Sequence, residues 1–172
     1  ANTLTELKTF LKKADYLYHL AAVNRPENDE KFNEVNVNLT KYIVDIIKKE
    51  KLNVQIVFAS SSQAISNSPY GISKKKAEDI LIELHETNNN MLAIFRLPGV
   101  FGKWSLPNYN SVVATFCYNL SRNIEIDIHE PDKLLEIVYI GDVIKNFLVL
   151  LDKDYRDKKT IFYRILETYS IC

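Results

Sequence analysis

Glycine is scarce in this chain: four among 172 residues, at positions 71, 99, 102 and 141, and none in the first 70. That excludes a glycine-rich phosphate cradle from those 70 residues, because such a turn needs residues without Cβ where the backbone approaches a pyrophosphate at a helix N-terminus. Cysteine is scarcer still. Cys117 and Cys172 stand far apart, which leaves neither a disulfide framework nor metal-ligand spacing. Asp127, Glu130, Asp132 and Glu136 have no metal spacing either, so no metal is expected. No apolar run approaches the roughly 20 residues of a membrane span, and no signal-peptide pattern opens the chain. Excess charge is absent as well: 22 Lys plus Arg balance 22 Asp plus Glu. A balanced chain has no general electrostatic attraction to nucleic acid or to an anionic membrane. These absences lead to the expectation of a reduced, cytoplasmic protein with neither nucleic acid nor membrane as a partner.

What is present is a globular pattern, with 47% hydrophobic and 26% charged residues, an ordinary balance for a domain with a real core. Leu4, Leu7, Phe10 and Leu11 recur at helical spacing. Asp15 to Ala21 reads as a short apolar strand, and 29–50 as a long helix with Val35, Leu39, Tyr42, Ile43, Ile46 and Ile47 facing inward. Val54 to Ala59 is β-branched and hardly alternates, as in a strand covered on both faces. Pro69 suits the first turn of the next helix, which carries Ala77, Ile80, Leu81 and Leu84. A strand from Met91 to Arg96, a helix over 109–121, a strand pair near 124–139 and a helix over 141–151 complete the pattern. Such alternation predicts an α/β fold, a parallel sheet wrapped by helices, with ligands beyond the carboxyl ends of the strands. Ala21, Ser60 to Ser62 and Arg96 to Gly102 fall at those ends.

The chemistry centres on Tyr70 and Lys74, eight residues after Ser60-Ser61-Ser62. Four residues make about one helical turn, so a phenol and an ammonium share a face. A free phenol titrates near 10, and a neighbouring cation is expected to lower that value. The pair thus suits proton exchange in carbonyl–alcohol chemistry. Ser62, just past a strand end, is expected to place its hydroxyl beside the phenol, and Ser61 takes that role if the turn differs by one residue.

Strand, serine, Tyr-x-x-x-Lys and helix, in this order, resemble the extended short-chain dehydrogenase/reductase, or NAD-dependent epimerase/dehydratase, family. His19-Leu20-Ala21-Ala22 is similar to that family's strand-end motif, and Asn36-Val37-Asn38-Leu39-Thr40 to its central-helix segment, with Leu39 for the usual glycine. Arg96-Leu97-Pro98-Gly99-Val100-Phe101-Gly102 follows a third motif, with Gly99 where asparagine is usual. Tyr139-Ile140-Gly141-Asp142-Val143 resembles a late segment. The resemblance implies a partial Rossmann-like, doubly wound sheet. It implies Ser62, Tyr70, Lys74 and Asn36 as catalytic residues. It assigns to the cofactor Leu20, Ala21, Ala22, Ser60, Ser61, Tyr70, Lys74, Arg96, Pro98, Gly99 and Val100.

Three further stretches, from His19 to Glu27, Phe101 to Trp104 and Pro107 to Asn119, are similar to keto-sugar reductases of capsule and O-antigen synthesis within that family. They imply reduction of a UDP-linked 2-acetamido-2,6-dideoxy-4-keto-sugar on the route to UDP-N-acetyl-L-fucosamine, with NADPH rather than NAD. Arg25 and Lys103 become candidate partners for pyrophosphate oxygens. Asn108, Tyr109 and Asn110 become candidate contacts to sugar or uracil, on a lid from Lys103 to Ser111. Rival readings are an NAD-dependent nucleotide-sugar epimerase and a non-catalytic dinucleotide-binding module.

The resemblance also implies a glycine-rich first unit and a C-terminal cupin, which these residues do not contain. The expectation is a fragment truncated at both ends and poorly active alone, with 1–153 as a partial reductase domain and 154–172 as a divergent tail. Its first strand would be an uncovered apolar edge that favours self-association or a homodimer.

Overall fold

The computed structural model describes residues 4–128, 130–152, 161–164 and 169–171. They divide into two compact units, 1–96 with 151–165, and 97–150 with 166–172.

In the first unit the parallel pair β1 (Tyr16–His19) and β2 (Gln55–Ser61) is followed by β3 (Leu92–Leu97) and β6 (Ile161–Arg164), in the order β1-β2-β3-β6. The β3–β6 pair is also parallel. Around the sheet lie α1 (Leu4–Leu11), α2 (Leu39–Glu50) and α3 (Pro69–Asn88). The two-residue period of a strand sends Ile56 and Phe58, with Leu92 and Ile94, into one core with Ile43 and Ile47 of α2 and Ala77, Leu81 and Leu84 of α3. Full burial of each large side chain stabilises by about 1.5–3 kcal/mol. Val57, Ala93 and Phe95, on the opposite face, are equally buried, which is why these strands show no alternation.

Expected and observed elements agree closely, with instructive differences. The long helix is there, but Phe32–Asn38 is wound as a π-helix before α2 begins. Ser68 caps α3, its Oγ accepting from the Gly71 amide at 3.0 Å, with Pro69 in the first turn. Glu50 ties α2 to α1 by accepting from Lys8 at 2.6 Å and Lys12 at 2.7 Å, and these bonds lower its carboxyl to about 2.

In the second unit β4 (Gly99–Phe101) runs parallel to β5 (Leu135–Tyr139), and β7 (Tyr169–Ile171) lies antiparallel on its other side. α4 (Val112–Leu120) and α5 (Ile140–Val149) complete it. Of the strand pair expected near 124–139 one strand forms; residues 124–128 are irregular. Conversely, two strands, β6 and β7, lie within the segment expected to be a divergent tail. The run Ile161-Phe162-Tyr163 has the β-branched and aromatic composition that favours strands.

Candidate active site

β2 ends in the serines, and α3 begins eight residues later. Between them Ser62–Ile65 forms one turn of 3-10 helix, started by Ser61, whose Oγ accepts from the Gln63 amide at 3.2 Å. Gly71 lets this turn lie against α3: a Cβ there would stand 2.2 Å from the Gln63 carbonyl oxygen and 2.5 Å from Ser66 Oγ. Close approach brings the Tyr70 phenol into a hydrogen bond with Ser61. Ser62 sits in the turn and is exposed. The serine at the phenol is therefore Ser61, not Ser62, because β2 runs through Ser61, two residues past the Val54–Ala59 run that the β-branched pattern suggests.

The electrostatics also depart from expectation. The Tyr70 phenol is held above its ordinary value, by burial, with the Ser61 bond opposing. Lys74 does not pull it down. Its ammonium, 2% exposed, donates to the Ala59 carbonyl at 2.6 Å and lies 4.4 Å from the centre of the Phe58 ring. Burial lowers it to about 8, with the Glu78 charge opposing. Near neutral pH the site thus presents a protonated phenol one turn before a buried ammonium.

Asn36 is buried in the π-helical turn, and its amide is committed to protein partners. Oδ1 accepts from the Val23 amide at 2.8 Å; Nδ2 donates to the Val23 carbonyl at 3.0 Å and to Ser73 Oγ at 2.9 Å. Ser73 in turn donates to the Tyr70 carbonyl at 2.7 Å. Thr40 donates to the Asn36 carbonyl at 2.8 Å, so its single proton is used and His19 Nε2, 2.8 Å away, is the donor to Thr40. A continuous polar chain thus links the end of β1, the loop at Val23, the π-helical turn and the first turn of α3. π-Helical segments recur at functional sites; here the wider winding carries the side chain that holds the loop.

Two residues expected at the cofactor, Ser60 and Arg96, aim polar atoms at Glu78 instead. Glu78 accepts from Ser60 Oγ at 2.5 Å, from Arg96 Nε at 3.0 Å and from Arg96 Nη2 at 2.6 Å. Leu20, Ala21 and Ala22 stand exposed just past β1, and Arg25 is exposed in the loop that follows. Pro98, Gly99 and Val100 belong to the second unit, as do Lys103, Asn108, Tyr109 and Asn110. In that unit Lys103 Nζ lies 4.8 Å from the Trp104 ring centre, and the Asn108 amide donates to Thr115 Oγ1 at 2.8 Å. Asn108 (φ 56°) and Trp104 (φ 74°) are both left-handed, an uncommon conformation for residues with a Cβ. Among the described residues no cluster of His, Cys, Asp or Glu could hold a metal. No described helix is long and apolar enough to cross a membrane.

Glu78 and Ser73 join the site without a role expected from the sequence, and Thr40, read only as part of a motif, joins it through His19 and Asn36. Glu78 left one signal, its place four residues after Lys74 on the same face; Thr40 left only its place in the Asn36–Thr40 motif and Ser73 none, because small hydroxyls are equally common as caps and turn residues.

A parallel sheet with a serine, Tyr-x-x-x-Lys and a helix at its carboxyl edge defines a Rossmann-like nucleotide-dependent class. The chain belongs to the NAD dependent epimerase/dehydratase family, whose sequence pattern matches residues 2–165. It is 40% identical over 151 residues to the UDP-2-acetamido-2,6-beta-L-arabino-hexul-4-ose reductase of Pseudomonas aeruginosa, covering 88% of this chain and 41% of that protein. It superposes on the capsular polysaccharide assembling protein CapF of Staphylococcus aureus with a TM-score of 0.79 at 35% identity, over 98% of this chain and 46% of that one. The UDP-N-acetylglucosamine 4-epimerase of Methanobrevibacter ruminantium shares the fold, with a TM-score of 0.82 at 21% identity over 99% of this chain and 62% of that one. The chain thus spans about two fifths of the length of the reductase it matches.

Proposed function

We propose that this chain carries the proton-handling wall of a nucleotide-sugar reductase, which reduces a UDP-linked 2-acetamido-2,6-dideoxy-4-keto-sugar with NADPH rather than NAD. The observation that carries the reading is the protonated Tyr70 phenol, bonded to Ser61 and followed one turn later by the buried Lys74. The 40% identity to a keto-sugar reductase supports the substrate class.

The residues present fit a nicotinamide dinucleotide in part. Small Ala21 and Ala22 leave backbone exposed past β1, and Lys74 and Tyr70 supply a cation and a hydroxyl; Ser60 and Arg96 are engaged by Glu78. Leu20 to Ala22, Tyr70 and Lys74 would hold the group, which when bound supplies a hydride. Tyr70 then gives its proton to the oxygen of the reduced carbonyl, while Ser61 orients the phenol. Asn36, tied up by Val23 and Ser73, positions Tyr70 rather than relaying a proton. Arg25, Lys103, Asn108, Tyr109 and Asn110 remain the proposed contacts to the UDP-sugar.

No glycine-rich turn occurs in these 172 residues, so low turnover by this chain alone is part of the proposal. The test is therefore a chimaera in which the 151 aligned residues replace their counterparts in the Pseudomonas reductase. It should oxidise NADPH with the 4-keto-sugar, and Tyr70→Phe should reduce turnover by roughly 10²-fold or more while NADPH binding persists. A folded, NADPH-binding chimaera that leaves the keto-sugar unreduced would refute the reading; epimer interconversion without net NADPH loss would favour the epimerase. Self-association through β1, which has one neighbour among the described strands, belongs to the same proposal and is read by light scattering.

A further inference from the structure

Glu78 is fully buried, and a buried carboxylate is tolerated only when its oxygens are partnered. Its partners come from two other elements: Ser60 at the end of β2 and Arg96 near the end of β3. Arg96 grips both oxygens, and a two-point guanidinium–carboxylate contact fixes direction as well as distance. Packing of apolar side chains alone would leave α3 some freedom to turn about its axis. The Arg96–Glu78–Ser60 contact opposes such a turn, together with the Lys74–Ala59 and Asn36–Ser73 bonds. Tyr70, Lys74 and Glu78 follow one another at four-residue steps along one face of α3. A turn of α3 by one residue would swing the phenol off Ser61 and the ammonium off the Ala59 carbonyl.

We propose that Glu78 is a positioning residue for the Tyr70–Lys74 pair: gripped by Arg96 and Ser60, it sets the rotation of α3 and supplies the negative charge nearest along the helix to the Lys74 ammonium. The inference rests on the reading of Tyr70 and Lys74 as the proton-handling pair. Lys74 is faced from β2 by the Phe58 ring and the Ala59 carbonyl, from β1 by His19, and along its own helix by Glu78. His19 is held down to about 4 by burial and then by the Lys74 charge, and is neutral at pH 7. Glu78 is thus the anion of the set, and its charge opposes the burial that lowers Lys74 to about 8.

The test is the titration of Lys74 in the 172-residue chain, followed by NMR of 13Cε-labelled lysines with the Lys74 signal assigned from Lys74→Arg. Glu78→Gln should move the Lys74 midpoint to lower pH, and Glu78→Asp, which keeps the charge, should move it less. An unchanged midpoint in folded Glu78→Gln overturns the proposal. Should Glu78→Gln fail to fold, Arg96→Lys decides, since it retains the charge and gives up the two-point grip. There the Lys74 midpoint should rise toward the ordinary lysine value as the ammonium loosens, and a wild-type midpoint overturns the proposal. The readout needs neither cofactor nor turnover. A shifted midpoint beside an inactive chimaera would sink the reductase reading and leave Glu78 in its positioning role.

Discussion

The Tyr70 phenol is hydrogen-bonded to Ser61, and Ser61 Oγ also accepts from the Gln63 amide at 3.2 Å. One hydroxyl therefore both starts the 3-10 turn and orients the phenol. The arrangement places Tyr70 by the backbone of β2 rather than by a free loop, and it directs Ser62 outward. Burial meanwhile keeps the phenol protonated, which suits a group that gives up a proton in a reduction.

Ser61→Ala removes the bond that opposes the burial effect, so the Tyr70 phenol should titrate at still higher pH, while Ser62→Ala should leave it in place. Difference absorbance of tyrosinate, taken against Tyr70→Phe, reads this directly. In the chimaera Ser61→Ala should cost about tenfold or more in turnover, the worth of one oriented hydrogen bond. Equal effects of the two alanine variants would show that Ser61 has no special place.

The strand and helix order was legible because the core is periodic: Ile56 and Phe58, Ala77, Leu81 and Leu84 mark their faces in the sequence itself. The Tyr70–Lys74 spacing was legible for the same reason. What stayed hidden depends on partners distant in sequence. Nothing local distinguishes Ser61 from Ser62, since the choice is made by where β2 ends and how closely Gly71 lets the turn approach. Arg96 and Ser60 looked like cofactor contacts because they fall at strand ends, yet a buried Glu78 on α3 engages both. The π-helical winding at Phe32–Asn38 has no composition cue; it accompanies the tether between Asn36 and Val23. The downward pull of Lys74 on the phenol failed for a geometric reason, the turning of the ammonium onto the Ala59 carbonyl.

His19 gives stability a pH dependence whose sign follows from its environment. Burial, and secondarily the Lys74 charge, lower its imidazole from 6.5 to about 4. Between those values the unfolded chain takes up a proton that the folded chain refuses, so stability is fully present above pH 6.5 and falls as the pH drops toward 4. The span is about 3 kcal/mol at most. Urea unfolding at pH 7.5 and pH 5 should show the loss, and His19→Gln, which keeps a donor for Thr40, should flatten it. An equally steep dependence in His19→Gln would assign the effect to other groups.

Gly71 is the residue on which the approach of turn to helix depends. An added Cβ would meet the Gln63 carbonyl at 2.2 Å, Ser66 Oγ at 2.5 Å and the Ser66 carbonyl at 2.9 Å. Two of these three are backbone atoms, so no side-chain rotation relieves them and the turn itself must move. Alanine favours a helix interior over glycine by about 1 kcal/mol, which offsets part of the cost, whereas overpacking of this kind costs about 1–3 kcal/mol. Gly71→Ala should therefore be neutral to about 2 kcal/mol less stable by urea unfolding. Its sharper signature is local: moving the turn carries Ser61 away from the phenol, so the Tyr70 titration should shift upward as it does in Ser61→Ala. A Gly71→Ala chain with the wild-type Tyr70 titration would show that the serine holds its place without the close approach.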